Sequence, residues 1–162
     1  MNSFRRSSGF SLIEILVVIF IVTTLVALPV GFFWGFGRTD ALVATTREVV
    51  GVLHEAQTNT ISGKSVDGQN PSSYGLYFAT NYYVLFSGTS YNANDSNNAR
   101  TDLPQGMIFS QINVPSSIIV FDKITGKVRN YSDSAHSVQV QDSNTQEQKT
   151  ITISELGAIH ED

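Results

Sequence analysis

An uncharged stretch of 23 residues, at positions 15–37, constrains this chain of 162 residues more than any other feature of its sequence. At about 1.5 Å per residue, a helix of this length covers roughly 35 Å, which is enough to cross a bilayer core of about 30 Å. The preceding residues 1–9 contain Arg5 and Arg6 and no acid. Because positive charge on a short flank keeps that flank in the cytoplasm, the sequence predicts a single-pass membrane protein whose residues 38–162 are extracytoplasmic.

Three other kinds of segment share some of these properties. A secretory signal peptide has a shorter apolar region and a small-residue cleavage site, which residues 29–34 do not resemble. An ordinary signal anchor accounts for the length and the charge bias, but it gives no reason for Glu14. A buried helix of a soluble core is disfavoured because so many consecutive residues lack a charge.

Glu14 is the single ionisable residue between positions 10 and 37. A carboxylate in a helix costs on the order of 3 kcal/mol at the middle of a membrane, and less near the interface. We therefore expect Glu14 to have a partner or a function. The alternative is a side chain that reaches back to the nearby lipid headgroups.

Residues 9–14, which read Gly-Phe-Ser-Leu-Ile-Glu, continue into Ile-Leu-Val-Val-Ile at 15–19. Together with the basic leader, this segment resembles the class III signal of type IV prepilins and type II secretion pseudopilins. The resemblance implies three kinds of partner: a prepilin peptidase/methyltransferase, other pilin or pseudopilin subunits that contact the N-terminal helix, and an inner-membrane assembly platform. It implies no cofactor and no metal.

Carried over by position, the resemblance implies cleavage between Gly9 and Phe10, removal of the leader 1–9, and N-methylation of Phe10. Glu14 then matches the acid that the family carries four residues after the mature terminus. Cleavage leaves a positive amine beside the membrane, and opposite charges attract far more strongly in an apolar environment than in water. A subunit that enters a filament would neutralise its Glu14 with the amine of a neighbour, which would set the axial register.

A second helical pattern follows the apolar stretch. Its apolar positions recur at helical spacing, and they are Leu42, Val49, Val50, Leu53 and Ala56. Gly63 provides a stop, so the sequence predicts one helix from Phe10 to about Ser62. Within it, Pro29 lacks a backbone donor and predicts a kink, whereas His54, beside the apolar stripe, is predicted to be a partly buried structural residue. The predicted organisation is a leader at 1–9, a transmembrane and assembly helix at 10–37, and an extracytoplasmic domain at 38–162.

Beyond a polar linker, the period of the sequence changes to two, which predicts strands. The predicted strands are 74–79 and 82–86, joined by a tight hairpin, and then 107–112, 117–121, 127–131, 137–141 and 150–154. Residues 122–126 predict a turn with Gly126 at a positive φ. The polar segment 87–102 is interpreted either as a calcium site or as an exposed mobile loop. The order of the elements, a helix followed by consecutive strands, predicts an α+β fold. In this fold the amphipathic half of the long N-terminal helix packs on an antiparallel β-sheet. This order resembles the pilin fold and, loosely, the H-type minor pseudopilins.

The composition excludes several kinds of site. The chain has no Cys, which removes disulfides, thiolate zinc sites, iron–sulfur clusters and Cys nucleophiles. The three His residues (His54, His136, His160) are scattered, and neither a nucleophile elbow nor an H-E-x-x-H pattern occurs. The sequence therefore predicts a structural subunit of a filament, a minor pilin or pseudopilin acting in protein secretion or as part of a pilus, and no enzyme.

The charge of the extracytoplasmic part bears on a DNA-uptake pilin, which is the alternative function. Residues 38–162 contain eight Lys and Arg against 13 acids, whereas DNA-binding proteins concentrate basic residues. Nucleic acid is therefore an unexpected partner. DNA binding remains the alternative function because Lys123, Lys127 and Arg129 form a local basic group.

Overall fold

The computed structural model describes residues 11–66, 68 and 72–162, and it describes their side chains except for residues 26–40. The chain divides into two units, Met1–Arg38 and Thr39–Asp162. Helix α1 (Leu12–Ile61, 50 residues) belongs to both units. The predictions for Arg5, Arg6, Gly9 and Phe10 fall outside the described residues.

In the first unit, α1 begins immediately after Ser11. The backbone N–H groups of Glu14 and Ile15 donate to the carbonyl oxygen of Ser11, at 3.0 and 3.3 Å. The helix continues without interruption through Pro29, and the kink expected at this residue stays a prediction. Within the described part of the chain, no helix combines the length and the hydropathy that a bilayer span needs.

The second unit contains the end of α1 and eight strands, arranged in two antiparallel sheets of four strands each. The first sheet has the order β3-β2-β1-β5, and the second has the order β4-β6-β7-β8. The strands are β1 (Tyr74–Ala79), β2 (Tyr82–Ser87), β3 (Ala99–Asp102), β4 (Met107–Asn113), β5 (Ile118–Val120), β6 (Ser137–Asp142), β7 (Gln148–Ile153) and β8 (Ile159–Glu161). The predicted α+β fold, with a long N-terminal helix and an antiparallel strand region consistent with a pilin-like fold, is confirmed. The division into two sheets was not predicted.

The apolar stripe of α1 forms one wall of the core. Leu42, Val49, Leu53 and Ala56 are each at most 3% exposed. They pack in one cluster with buried side chains from both sheets, among them Phe78. The predicted stripe is therefore confirmed at these four helix positions, and its burial is the main apolar contribution of the helix to the stability of the domain.

Thr60 connects the end of α1 to the first sheet. Its buried hydroxyl donates to the carbonyl oxygen of Ala56 at 2.8 Å and accepts the backbone N–H of Tyr74 at 2.9 Å. Because both partners are satisfied inside the protein, burial of this hydroxyl carries no unpaired polar group. The link places the start of β1 beside the last turn of the helix.

Two predictions are wrong: the partial burial of His54 and the strand at 127–131. His54 is exposed, because it lies off the buried stripe rather than beside it. In 127–131, Val128 alone makes a bridge, to Phe121. Backbone hydrogen bonds flank this bridge, from Asp122 to Lys127 and from Arg129 to Val120. Beyond them the side-chain amide of Asn130 makes the contacts: its Nδ2 donates to the Ile118 carbonyl at 2.7 Å and its Oδ1 accepts the Val120 N–H at 3.2 Å.

Strands β3 and β8 were not predicted. Both lie at sheet edges and are largely exposed, so neither shows the apolar alternation by which strands are found in a sequence. Strand β3 lies inside the segment that was interpreted as a loop, and there the guanidinium of Arg100 lies 3.8 Å from the ring centroid of Tyr82. The rest of that segment is anchored by Tyr91, whose ring stacks on Tyr77 at 4.2 Å.

Candidate functional site

Glu14 lies in the first turn of α1, on the exposed surface of the helix. Its neighbours on the chain are apolar and exposed, with Ile13 at 64% and Ile15 at 51%. Glu14 forms no ion pair with any described residue. A carboxylate near a helix N-terminus is favoured by the helix dipole, but this interaction leaves its lone pairs available to an external cation.

The described side chains between positions 12 and 25 form an apolar surface around the whole helix. Eleven of them are large, apolar and between 47% and 82% exposed, namely Leu12, Ile13, Ile15, Leu16, Val17, Val18, Ile19, Phe20, Ile21, Val22 and Leu25. A helix that is apolar on all sides is stable when lipid or other helices surround it. We refer to residues 12–25 as the assembly segment.

The two threonines of the assembly segment have their hydroxyl groups satisfied within the helix. The hydroxyl of Thr23 donates to the carbonyl oxygen of Ile19, and that of Thr24 donates to Phe20 at 2.8 Å. Such i−4 bonds remove the cost of placing a hydroxyl in apolar surroundings. Glu14 is consequently the one side chain at positions 12–25 whose polar group is left for a partner outside the helix.

The basic group that was considered for DNA binding lies on and beside the turn that precedes Val128. Arg129 is engaged there, because its Nε lies 2.6 Å from Oδ1 of Asp122. Lys123 and Lys127 are exposed. Two lysines on a domain with an excess of acids form a smaller cationic surface than DNA binding needs.

A metal site was the alternative interpretation of the segment 87–102. Among the described residues, no group of three or more His, Cys, Asp or Glu is placed to hold a metal ion. Two side-chain oxygen atoms of this segment accept from its own backbone: Oδ1 of Asn92 accepts the N–H of Asn94 at 3.1 Å, and Oδ1 of Asp95 accepts the N–H of Asn97 at 2.9 Å.

Gln57 is a residue that the sequence did not single out. Its Nε2 donates to the carbonyl oxygens of Gly126 and Gly157, at 2.9 and 3.0 Å. One side chain of α1 thereby fixes two loops that lie 69 and 100 positions away along the chain. Only the positive φ expected at Gly126, observed as 66°, was a sequence signal of this contact.

Tyr83 of β2 joins the first sheet to the helix. Its buried hydroxyl donates to Oε1 of Glu48 at 2.9 Å. Burial raises the pKa of Tyr83 to about 12, and the hydrogen bond and the negative charge of Glu48 add to the effect. The folded domain therefore favours the neutral phenol more strongly than the unfolded chain does.

This pKa predicts a loss of stability in alkali. A group whose pKa is higher in the folded state than the usual 10 contributes stability below pH 10, and this contribution disappears as the pH rises towards 12. For residues 38–162, we expect Tyr83→Phe to lower the free energy of unfolding by about 1 kcal/mol at neutral pH and to flatten its fall above pH 10. Urea unfolding at a series of pH values measures both effects.

Glu48→Gln is the matched control for this experiment. It keeps a hydrogen-bond acceptor and removes the charge, so the alkaline fall should become smaller but persist, because burial is the largest cause of the raised pKa. An unchanged alkaline fall in Tyr83→Phe would show that other groups cause it.

The described residues combine an apolar N-terminal helix surface that carries one carboxylate with an α+β domain. Comparison with protein families bears on the N-terminal part of the chain. The chain carries the prokaryotic N-terminal methylation motif, the class III prepilin signal, over residues 4–28, which is consistent with a type IV pilin or pseudopilin. Comparison with curated proteins and with solved structures found no significant match.

The motif covers residues 4–9 of the predicted leader and the whole assembly segment. A prepilin signal implies processing by a prepilin peptidase, assembly with other pilins and a membrane-anchored subunit. Pilins, the proteins in which this signal occurs, are structural proteins and not enzymes.

Proposed function

We propose that this protein is a minor pilin or pseudopilin, a structural subunit of a type IV pilus-like or type II secretion filament. The observation that carries the proposal is the methylation motif at residues 4–28, within which the described side chains of residues 12–25 form an apolar surface around the helix. The role is assembly within a secretion filament or pilus, and it needs no catalytic group.

In this role, each of three segments of the chain has its own location. Residues 1–9 are a cytoplasmic leader that is removed, residues 10–37 insert in the cytoplasmic membrane, and residues 38–162 form an extracytoplasmic domain. Arg5 and Arg6 hold the leader on the cytoplasmic side. The inner-membrane assembly platform then moves the helix from the membrane into the filament.

Glu14 acts as the assembly charge. The methylated amine of Phe10 in one subunit pairs with the carboxylate of Glu14 in its neighbour. This pairing is supported by the exposure of Glu14, by its apolar surroundings and by the fact that no described residue forms an ion pair with it. In apolar surroundings such a pair is strong and fixes one axial register between helices.

Processing provides the direct test. We expect the mature chain to begin at Phe10 and to carry one additional methyl group, and intact-mass and N-terminal analysis of membrane-extracted protein measures both. Gly9→Leu should leave nearly all of the precursor uncut in the membrane, because the peptidase must accommodate position 9. Ser7→Ala, within the same leader, is the matched control and should be processed normally. A wild-type chain that keeps Met1 would contradict the proposed function.

A further inference from the structure

A cleft of about 370 Å³ lies in the second unit, between the last turns of α1 and the first sheet. Helix α1 contributes Glu55 and Asn59 to its lining, and the chain at the start of β3 contributes Asn97 and Ala99. Leu85, which is paired with Ala99 in the register of β2 and β3, supplies apolar surface. We call this the α1–β3 cleft. Small-molecule sites in proteins typically measure about 300–1,000 Å³, so its volume suits a ligand of one or two rings.

The parts of the chain that line the α1–β3 cleft are fixed by the fold. Tyr74 and Phe86, which also line it, are 7% and 1% exposed. The backbone N–H of Lys64 donates to the carbonyl oxygen of Asn59 at 3.0 Å, and the carbonyl oxygen of Lys64 accepts the N–H of Ser72 at 3.1 Å. The cleft is therefore a preformed feature of the domain.

The amide side chains that line the cleft present mainly hydrogen-bond acceptors. Nδ2 of Asn59 donates to Oε1 of Glu55 at 3.5 Å, and Nδ2 of Asn97 donates to Oδ1 of Asp95 at 3.0 Å. These bonds engage the amide nitrogens. No described residue donates to Oδ1 of Asn59 or of Asn97. Both carbonyl oxygens are therefore available to a ligand that donates hydrogen bonds.

Two polar side chains next to lining residues are also incompletely satisfied. Asn98 lies between Asn97 and Ala99, and its Oδ1 is buried without a hydrogen-bond partner from the described part of the chain. Ser73 precedes Tyr74; it is 1% exposed, and its Oγ is buried and unpaired in the same sense. Because buried polar atoms in folded proteins are nearly always hydrogen-bonded, these two atoms indicate that the protein alone does not satisfy the polar groups around the cleft.

The lining of the α1–β3 cleft has no net charge. It contains one carboxylate, that of Glu55, and one ammonium group, that of Lys64. Both side chains are exposed, and neither forms an ion pair with a described residue. Nζ of Lys64 lies 6.0 Å from the ring centroid of Tyr74. Since Glu55 repels an anion and Lys64 repels a cation, the cleft favours a ligand without net charge.

We propose that the α1–β3 cleft binds a neutral sugar unit of a glycan. A sugar ring carries several hydroxyl donors for the acceptor oxygens of Asn59 and Asn97, and its C–H groups suit the apolar surface at Leu85. A zwitterion such as a short peptide would pair with the two charged side chains and leave the amide oxygens without donors. The extracytoplasmic location of the glycan follows from the proposed function, whereas the binding itself does not depend on it.

A ligand-observed NMR titration of the full chain in lipid nanodiscs tests the site, because nanodiscs avoid detergents with sugar headgroups. The probes are maltose, N,N′-diacetylchitobiose and, as a zwitterion, the dipeptide alanyl-alanine. We expect one of the two disaccharides or both to bind with a Kd of about 1 mM. Because the ligand is uncharged, its affinity should stay the same when NaCl is raised to about 0.5 M.

Two variants connect the binding to the cleft. Ala99→Trp places a large side chain in the cleft from an exposed position of an edge strand, and it should weaken sugar binding about tenfold or more. Asn59→Leu removes an acceptor oxygen and should weaken binding about fivefold. Gln111→Trp is the matched control, because Gln111 is an exposed residue of edge strand β4; it should leave the Kd unchanged. Circular dichroism of each variant verifies the fold.

Three results would overturn the inference. They are a failure of both disaccharides to bind, a sugar affinity that Ala99→Trp leaves unchanged, and binding of the dipeptide alone with an affinity that falls in high salt. The proposed function is judged separately, by processing of the precursor. A chain that keeps Met1 but binds sugar through the α1–β3 cleft would contradict the proposed function and leave this inference intact.

Discussion

Glu14→Leu is expected to leave the chain inserted and cleaved while reducing its incorporation into the filament about a hundredfold. The insertion cost of the carboxylate, on the order of 3 kcal/mol at most, disappears, so the subunit should be at least as stable in the bilayer. Assembly suffers because the amine of the neighbouring subunit loses its counter-charge in apolar surroundings. Removing one partner of a buried pair typically costs about 3–5 kcal/mol, and the lower end of this range corresponds to a loss of about a hundredfold.

Co-purification or cross-linking with partner subunits measures incorporation, and the fraction processed is determined on the same sample. Glu14→Gln should assemble as poorly as Glu14→Leu, because the amide keeps the shape and loses the charge. Ile13→Leu, at the adjacent exposed position, is the matched control and should assemble normally. Incorporation of Glu14→Leu at the wild-type level would mean that the carboxylate lies among the lipid headgroups, and the proposed charge pairing would be wrong.

Gly157→Ala should lower the free energy of unfolding of residues 38–162 by about 3 kcal/mol. Gly157 has a φ of 83°, which disfavours any residue with a Cβ. The new Cβ would also overlap the carbonyl oxygen of Gly126 and Nε2 of Gln57. The substitution therefore combines backbone strain with the loss of hydrogen bonds that hold two loops on α1.

Gly51→Ala provides the matched control, because Gly51 lies in α1 with nothing within 4 Å of an added Cβ. Alanine is the better helix former, so this variant should be more stable by about 0.5–1 kcal/mol. Urea unfolding of both variants, followed by circular dichroism, makes the comparison. A Gly157→Ala variant as stable as the wild type would show that the Gln57 contact is dispensable. A wild-type fragment that does not unfold cooperatively would contradict the proposed independent domain.

The features that could be read from the sequence are local ones. The methylation motif is a contiguous segment, and it therefore revealed Glu14 without any knowledge of the fold. The β1–β2 hairpin, with Ala79 paired to Tyr82, and the alternating burial of β6 were predicted because a period of two determines which side chains share a face. The buried stripe of α1 follows from a helical period in the same way.

The tertiary structure decided the features whose partners are distant in the chain. Edge strands β3 and β8 form because a neighbouring strand offers backbone hydrogen bonds, and this requires no pattern in their own side chains. The predicted strand 127–131 is cut short at Arg129, and the side chain of Asn130 bonds to the backbone of β5 instead. The loops that contain Gly126 and Gly157 are brought together by Gln57, which donates to a carbonyl oxygen of each. No local pattern records such contacts, because hydrogen bonding and packing depend on distance in space, whereas periodicity reports only on neighbours along the chain.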